Sequence, residues 1–218
     1  MNPTISLLRT VGSPFAPETE LPNDARDPME HYHCARKNRM PLLYLTSLKK
    51  WERLGSLQIV YEELYERSLE AYDAVARASR TLNEAHVPYA LFKTIRPYQE
   101  TTVDLDVLIL RSPMEYEKSV KAMIGAGYRK LGSGPNSTTV RDPYVDISVD
   151  LYREVAVSQI IYLDKGKIGP HITERNMLSR GEAVRTLSPQ ADLIALIAHS
   201  VIKEHMYTLS EYYSTYTS

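Results

Sequence analysis

Val103-Asp104-Leu105-Asp106-Val107-Leu108-Ile109-Leu110 is the stretch whose reading sets both the fold and the chemistry. Side chains alternate across a strand, so residues i and i+2 share a face about 6.5 to 7 Å apart. Val103, Leu105, Val107 and Ile109 then take one face, and Asp104, Asp106, Leu108 and Leu110 take the other. A strand apolar on both sides from Val107 onward belongs in the middle of a sheet, here with two carboxylates at its entering end. Two like charges in that position lose hydration and repel each other unless a cation stands between them. A hard divalent cation with oxygen ligands, Mg2+ (or Mn2+), is the simplest compensation.

Working outward, Val87-Pro88 ends a helix, because the residue before proline is pushed out of the helical region, and Tyr89-Ala90-Leu91-Phe92 reads as a short strand. Downstream, Ser112-Pro113-Met114-Glu115 has a Ser at the N-cap, Pro at the first helical position and Glu at the capping-box position. That helix runs to about Ile124 and stops at Gly125-Ala126-Gly127. Ser137 to Arg141 and Tyr144 to Tyr152 read as a hairpin turned at Asp142-Pro143. In its second strand Val145, Ile147, Val149 and Leu151 share one face, leaving Asp146, Ser148 and Asp150 on the other. Asp146 and Asp150 lie about 13 Å apart along a strand, so only one can join Asp104 and Asp106. Asp150, in the more apolar Val149-Asp150-Leu151-Tyr152 stretch, is the stronger candidate; Asp146 is nearer the turn and easier to hydrate.

The fold class expected is α/β (α+β): a mixed β-sheet with flanking helices, plus N- and C-terminal helical segments. Residues 1–39 read as an irregular arm, with prolines at 3, 14, 17, 22 and 28. Residues 40–86 read as a helical segment with an apolar stripe at three- and four-residue spacing. Residues 87–187 form the domain bearing the acids. Residues 188–218 return to helix: Ser188-Pro189 opens one through about His205, and Tyr207 to Ser218 forms another that stops abruptly, as in a fragment. Val155 to Leu163 fits strand or helix.

Composition sets outer limits. In 218 residues, 43% apolar and 24% charged side chains are ordinary for a folded globular chain. A formal charge of -1 gives no overall pull toward nucleic acid or an anionic membrane. Cys34 is the single cysteine, so no intramolecular disulfide can form. No basic-then-apolar leader opens the chain, and no run of about 18 apolar residues occurs; a soluble, cytoplasmic protein with no membrane partner is expected.

On these motifs the chain resembles the nucleotidyltransferase superfamily with the DNA polymerase beta-like palm. The resemblance spans about residues 56 to 206 and rests on Leu91-Phe92-Lys93-Thr94, Val103-Asp104-Leu105-Asp106-Val107 and Val149-Asp150-Leu151. The branch it looks most like is a group of poorly characterised bacterial and archaeal members carrying Lys-Gly at the first of these elements. There a helix with a His follows the palm, as Leu187 to Leu193 and His199 do here. Where that family has a glycine in the first turn, this chain has Lys93-Thr94-Ile95-Arg96. The resemblance implies a Mg2+-dependent transferase with Asp104, Asp106 and Asp150 as metal ligands and catalytic acids. Lys93, Thr94 and Arg96 would meet the phosphates of an NTP. The acceptor would be an RNA end such as that of tRNA, a protein hydroxyl or a small molecule. A nucleotidyltransferase-fold binding or regulatory module without catalysis is the alternative.

Other residues carry blander readings. His31-Tyr32-His33-Cys34 lacks the second ligand pair that a tetrahedral zinc site needs. His199 sits among Leu193, Ile194, Leu196, Ile197, Val201 and Ile202 and reads as a core histidine. The basic group Arg36, Lys37, Arg39, Lys49, Lys50 and Arg53 reads first as a solvated face.

Overall fold

The computed structural model of the protein describes residues 3–12, 28–96, 98–102, 104–158, 160–176 and 183–217. In chain order the helices α1 (Pro3–Val11), α2 (Pro28–Lys37), α3 (Pro41–Lys50) and α4 (Gln58–Glu84) precede the strands β1 (Tyr89–Leu91) and β2 (Asp104–Ile109). Then come α5 (Pro113–Gly125), β3 (Arg129–Ser133), β4 (Ser137–Arg141), β5 (Ser148–Tyr152), β6 (Val155–Val157) and β7 (Ile160–Leu163). The chain closes with α6 (Lys165–Ile168), β8 (Ile172–Asn176), β9 (Ala183–Leu187), α7 (Pro189–Ala198), a π-helical turn (His199–Lys203) and α8 (Leu209–Thr217). No described helix is long and apolar enough to cross a membrane.

Two compact units form: Met1–Ser68 with Arg96–Thr101 and Tyr207–Ser218, and Leu69–Ile95 with Thr102–Met206. The first unit is helical. Leu7 and Val11 of α1, Ala35 of α2, Leu42, Leu45 and Leu48 of α3, and Leu57 and Tyr61 build its core. Residues 1–39, expected to be irregular, therefore hold α1 and α2. Two of the prolines that argued against helix stand at helix starts, Pro3 for α1 and Pro28 for α2, where a missing N–H costs nothing. Prolines 14, 17 and 22 lie outside the described residues. Two tyrosine hydroxyls tie this unit together. Tyr44 donates to Pro28 O at 3.2 Å, and Tyr213 to Val11 O at 3.2 Å.

The second unit holds the expected mixed sheet, seven strands in the order β3-β4-β5-β2-β1-β9-β8. The β2–β5 and β1–β9 pairs are parallel; β1–β2, β3–β4, β4–β5 and β8–β9 are antiparallel. On one face Leu105, Val107, Ile109, Val149 and Leu151 pack with Ala74, Val75, Ala78 and Leu82 of α4 and Met123 of α5. On the other, Ala90, Phe92 and Leu108 pack with Val155, Leu163, Ile168, Leu187 and Ala195. The alternation of β2 thus buries its odd-numbered residues under α4 and α5 and turns its even-numbered ones to the second face.

Several local expectations are refined. Ser112 stands at the N-cap of α5 without a side-chain cap bond; its carbonyl accepts from Glu115 N–H at 3.1 Å. Ser188 does cap α7, accepting from Ala191 N–H. The strand expected from Tyr144 begins only at Ser148. The cause is Asp142, which accepts from the N–H groups of Tyr144 (2.9 Å) and Val145 (3.1 Å) while pairing with both Arg77 Nε (3.1 Å) and Nη2 (2.9 Å). That buried fork holds 143–146 as bends. Val155 to Leu163 resolves into the β6–β7 hairpin. Strands β3, β8 and β9 escape the pattern: β3 is exposed along its whole length, an edge strand with no apolar face to read.

Within the first unit, Glu100 predicts a pH dependence. Its Oε2 lies 3.4 Å from Arg96 Nε, yet burial, reinforced by Glu211, outweighs Arg96 and pushes its pKa from 4.5 up to about 7. An acid whose pKa rises on folding makes the native state hold a proton that the unfolded chain releases. Stability is therefore greatest at the acid end and falls as pH rises from about 4.5 through 7. Thermal melts across that window should show this decline in the wild type and a flatter profile in Glu100→Gln; parallel profiles would refute it.

Candidate active site

The site begins with strand register. β2 and β5 run parallel with Asp104 opposite Ser148, Asp106 opposite Asp150 and Leu108 opposite Tyr152. Aligned residues of neighbouring strands point to one face, so Asp104, Asp106 and Asp150 share the second face of the sheet. Asp106 is 5% exposed, whereas Asp104, at the strand's entry, is exposed. Asp146, the alternative third acid, lies in the exposed turn and pairs with Arg141. One strand further, Thr139 aligns with Asp150, and its hydroxyl donates to Asp150 Oδ1.

On the other side of Asp106, the turn after β1 locks onto β2. Phe92 N–H donates to Asp106 O at 3.1 Å. Asp106 N–H donates to Thr94 Oγ1 at 3.0 Å, and that hydroxyl donates to Phe92 O at 3.2 Å. Lys93, between them, has φ +49°, the left-handed backbone that glycine adopts freely and that costs other residues about 1–2 kcal/mol. Its N–H donates to Asp192 Oδ1 at 2.5 Å in the first turn of α7. The turn that lacks the expected glycine keeps the glycine-type backbone, held there by hydrogen bonds at both ends.

This conformation delivers the lysine side chain to the acids. Lys93 Nζ lies 2.8 Å from Asp106 Oδ2, with the two side chains 10% and 7% exposed. The same ammonium lies 3.2 Å from His199 Nε2. His199 Nδ1 is 3.0 Å from Tyr162 Oη, and Glu204 Oε1 lies 3.3 Å from His199 Nε2. Burial, then Lys93 and Lys203, lower the His199 pKa to about 4, so the imidazole is neutral near pH 7. An ammonium only donates; Nε2 therefore accepts from Lys93, and Nδ1 carries the proton and donates to Tyr162. Burial and then Asp106 raise the Tyr162 phenol to about 12, which keeps it protonated. Tyr152 is raised by burial, then by Asp106 and Asp150.

The expected residues thus divide. Asp104, Asp106 and Asp150 line one face, with Lys93 in contact with Asp106 and Thr94 bound to its backbone. Arg96 belongs to the helical unit, where its guanidinium meets Glu100 and Ser214 Oγ at 3.4 Å each. His199 is buried as a core histidine would be, but both nitrogens are engaged and it is part of the site. Asp192 and His199 are seven residues apart, two helical turns, a spacing that places both toward the sheet. Tyr162 and Thr139 gave no sequence signal.

The donor chemistry of the three carboxylates suits a hard divalent cation. Burial first, then Asp106 and then Asp150, raise the Asp104 pKa, with Lys93 and Lys203 opposing; the acids are near enough to repel one another and to gain from a shared cation. Among the described residues no three His, Cys, Asp or Glu side chains are gathered into a ready-made metal cage. In this arrangement Lys93 holds Asp106 and Thr139 holds Asp150.

No protein-family model matches the chain, and no curated protein matches it. Solved structures of similar shape include ANT(2")-Ia in complex with adenylyl-2"-tobramycin, at 10% identity and TM-score 0.46 over 67% of this chain and 86% of that one. An antigenic nucleotidyltransferase-like protein from Paracoccidioides brasiliensis matches at 14% identity and TM-score 0.43, over 62% of this chain and 68% of that one. The lincosamide antibiotic adenylyltransferase LnuA, lincomycin-bound, matches at 14% identity and TM-score 0.41, over 62% and 88%. At such distances the chemistry must be read from this chain's own residues.

The anchoring of the Lys93 turn is testable. Thr94→Val leaves the Asp106 N–H without its acceptor and should cost about 1–3 kcal/mol of stability. Urea unfolding of the two proteins measures the difference; equal midpoints and slopes would show that Thr94 does not hold the turn.

Proposed function

We propose that the protein is a metal-dependent nucleotidyltransferase that moves a nucleoside monophosphate from an NTP to an acceptor hydroxyl. The observation that supports this best is the register of β2 against β5, which sets Asp106 opposite Asp150 with Asp104 two residues away on the same face. Asp104 and Asp106, with Asp150, are the groups that would hold Mg2+ (or Mn2+). When bound, the metal supplies neutralisation of triphosphate charge and acidifies the acceptor hydroxyl.

The chain's own residues do the rest. Asp150, which accepts from the Thr139 hydroxyl, would take the acceptor proton. The acceptor oxygen then bonds to the α-phosphorus as the bond from that phosphorus to the bridging oxygen breaks, and pyrophosphate leaves with the electron pair. The Lys93 ammonium stands beside Asp106 for phosphate oxygens, while the Thr94 hydroxyl, whose one proton goes to Phe92 O, holds the turn that carries it. Arg96, engaged with Glu100 and Ser214, is left out of this assignment. The acceptor class is an RNA end such as that of tRNA, a protein hydroxyl or a small molecule.

The buried Lys93–Asp106 pair favours a second reading, a binding or regulatory module of the same fold in which the lysine permanently replaces the metal. NTP turnover with Mg2+ separates the two. Asp106→Asn, which keeps the shape and removes the charge, should lower turnover by about 100-fold or more. Turnover unchanged by the substitution rejects the assignment of Asp106. A wild type inert toward all four NTPs, and melting at the same temperature with and without NTP and Mg2+, favours the module.

A further inference from the structure

We propose, on the basis of the metal-site reading above, that Lys93 is a resident counter-ion that a divalent cation must displace from Asp106. The released ammonium would pass to His199 and Glu204. The inference comes from the crowding around one carboxylate oxygen. Asp106 Oδ2, one of the two carboxylate oxygens a cation could use, has Lys93 Nζ at 2.8 Å. The lysine cannot drift away through its backbone. Its N–H is bound to Asp192, and its neighbours Phe92 and Thr94 are bonded to the Asp106 backbone. Only the side chain is left to move.

An alternative berth for the ammonium is already built. His199 Nε2, an acceptor, lies 3.2 Å from Nζ, and Glu204 Oε1 lies 3.3 Å from that nitrogen. Rotation of the lysine tip toward Glu204 would exchange one carboxylate for another while keeping His199 Nε2 as a partner. Tyr162 holds the far side of that ring at 3.0 Å, so the receiving nitrogen stays in position during the exchange. Until a metal arrives, the lysine keeps the buried Asp106 neutralised; afterwards it lies at the rim of the acids, where phosphate oxygens would come.

The experiment is Mn2+ titration of the whole chain, with free metal followed by electron paramagnetic resonance. Lys93→Gln removes the charge but keeps a donor for Asp106, and should tighten Mn2+ binding by about tenfold. Lys93→Arg keeps the charge and offers Asp106 a two-pronged donor, so it should bind Mn2+ more weakly than the wild type. Lys203→Gln removes a nearby positive charge that contributes to the field at Asp104 without an ion pair to Asp106 among the described residues; it should change binding much less than Lys93→Gln. Equal tightening in the two glutamine variants, or no tightening in Lys93→Gln, overturns the displacement. Asp106→Asn serves as the reference. If it binds Mn2+ as the wild type does, the metal assignment itself fails. If it loses Mn2+ while the Lys93 variants match the wild type, only the counter-ion role fails.

Discussion

Asp106 sits in the middle strand region of a seven-stranded sheet at 5% exposure, and Asp150 lies opposite it on the adjoining strand. Taking one carboxylate out of water costs several kcal/mol, and a second beside it adds repulsion. Much of the surrounding structure answers that cost. Lys93 contributes a positive charge at 2.8 Å, and Thr139 donates to Asp150. His199, kept neutral by its surroundings, takes a second ammonium proton without adding another charge. The cost of the left-handed Lys93 backbone belongs to the same balance, because only that turn brings the ammonium to Asp106 while leaving its N–H for Asp192.

The two faces of the sheet divide the labour. Under α4 and α5, the odd-numbered side chains of β2 and β5 make an apolar layer that fixes the strands against each other. Such a layer resists register slip, since a shift of one residue would drive the aspartates into it. The carboxylate spacing on the opposite face therefore inherits its rigidity from packing on the first. Tyr152 and Phe92, edge to face at 5.5 Å, continue the second face into the apolar cluster beneath β6 and β7.

Much of this was legible locally. The alternation of Asp104 to Ile109 reads directly as a two-faced buried strand, and Asp150 is preferred over Asp146 from polarity alone. The structure sets Asp150 across from Asp106 and leaves Asp146 with Arg141 in the turn. The prolines at 3 and 28 misled, because proline marks a helix start as well as an irregular segment and sequence spacing does not separate the two. Strand β3 had no apolar pattern to reveal it, since an edge strand exposed throughout needs none. Arg96 is three residues from Lys93 in sequence, yet its partners, Glu100 and Ser214, belong to the helical unit.

By itself, then, the sequence determined which residues alternate and where helices can start, and it put Asp104 and Asp106 on one face of the same strand. Tertiary structure alone decided which side chain meets Asp106 and what surrounds it. Lys93, His199, Tyr162 and Asp192 come from segments up to 106 residues apart. Their convergence depends on strand order and on where α7 packs, and no local periodicity encodes either. Charge balance required a partner for Asp106, and only the folded backbone, with Lys93 turned left-handed, could choose which one.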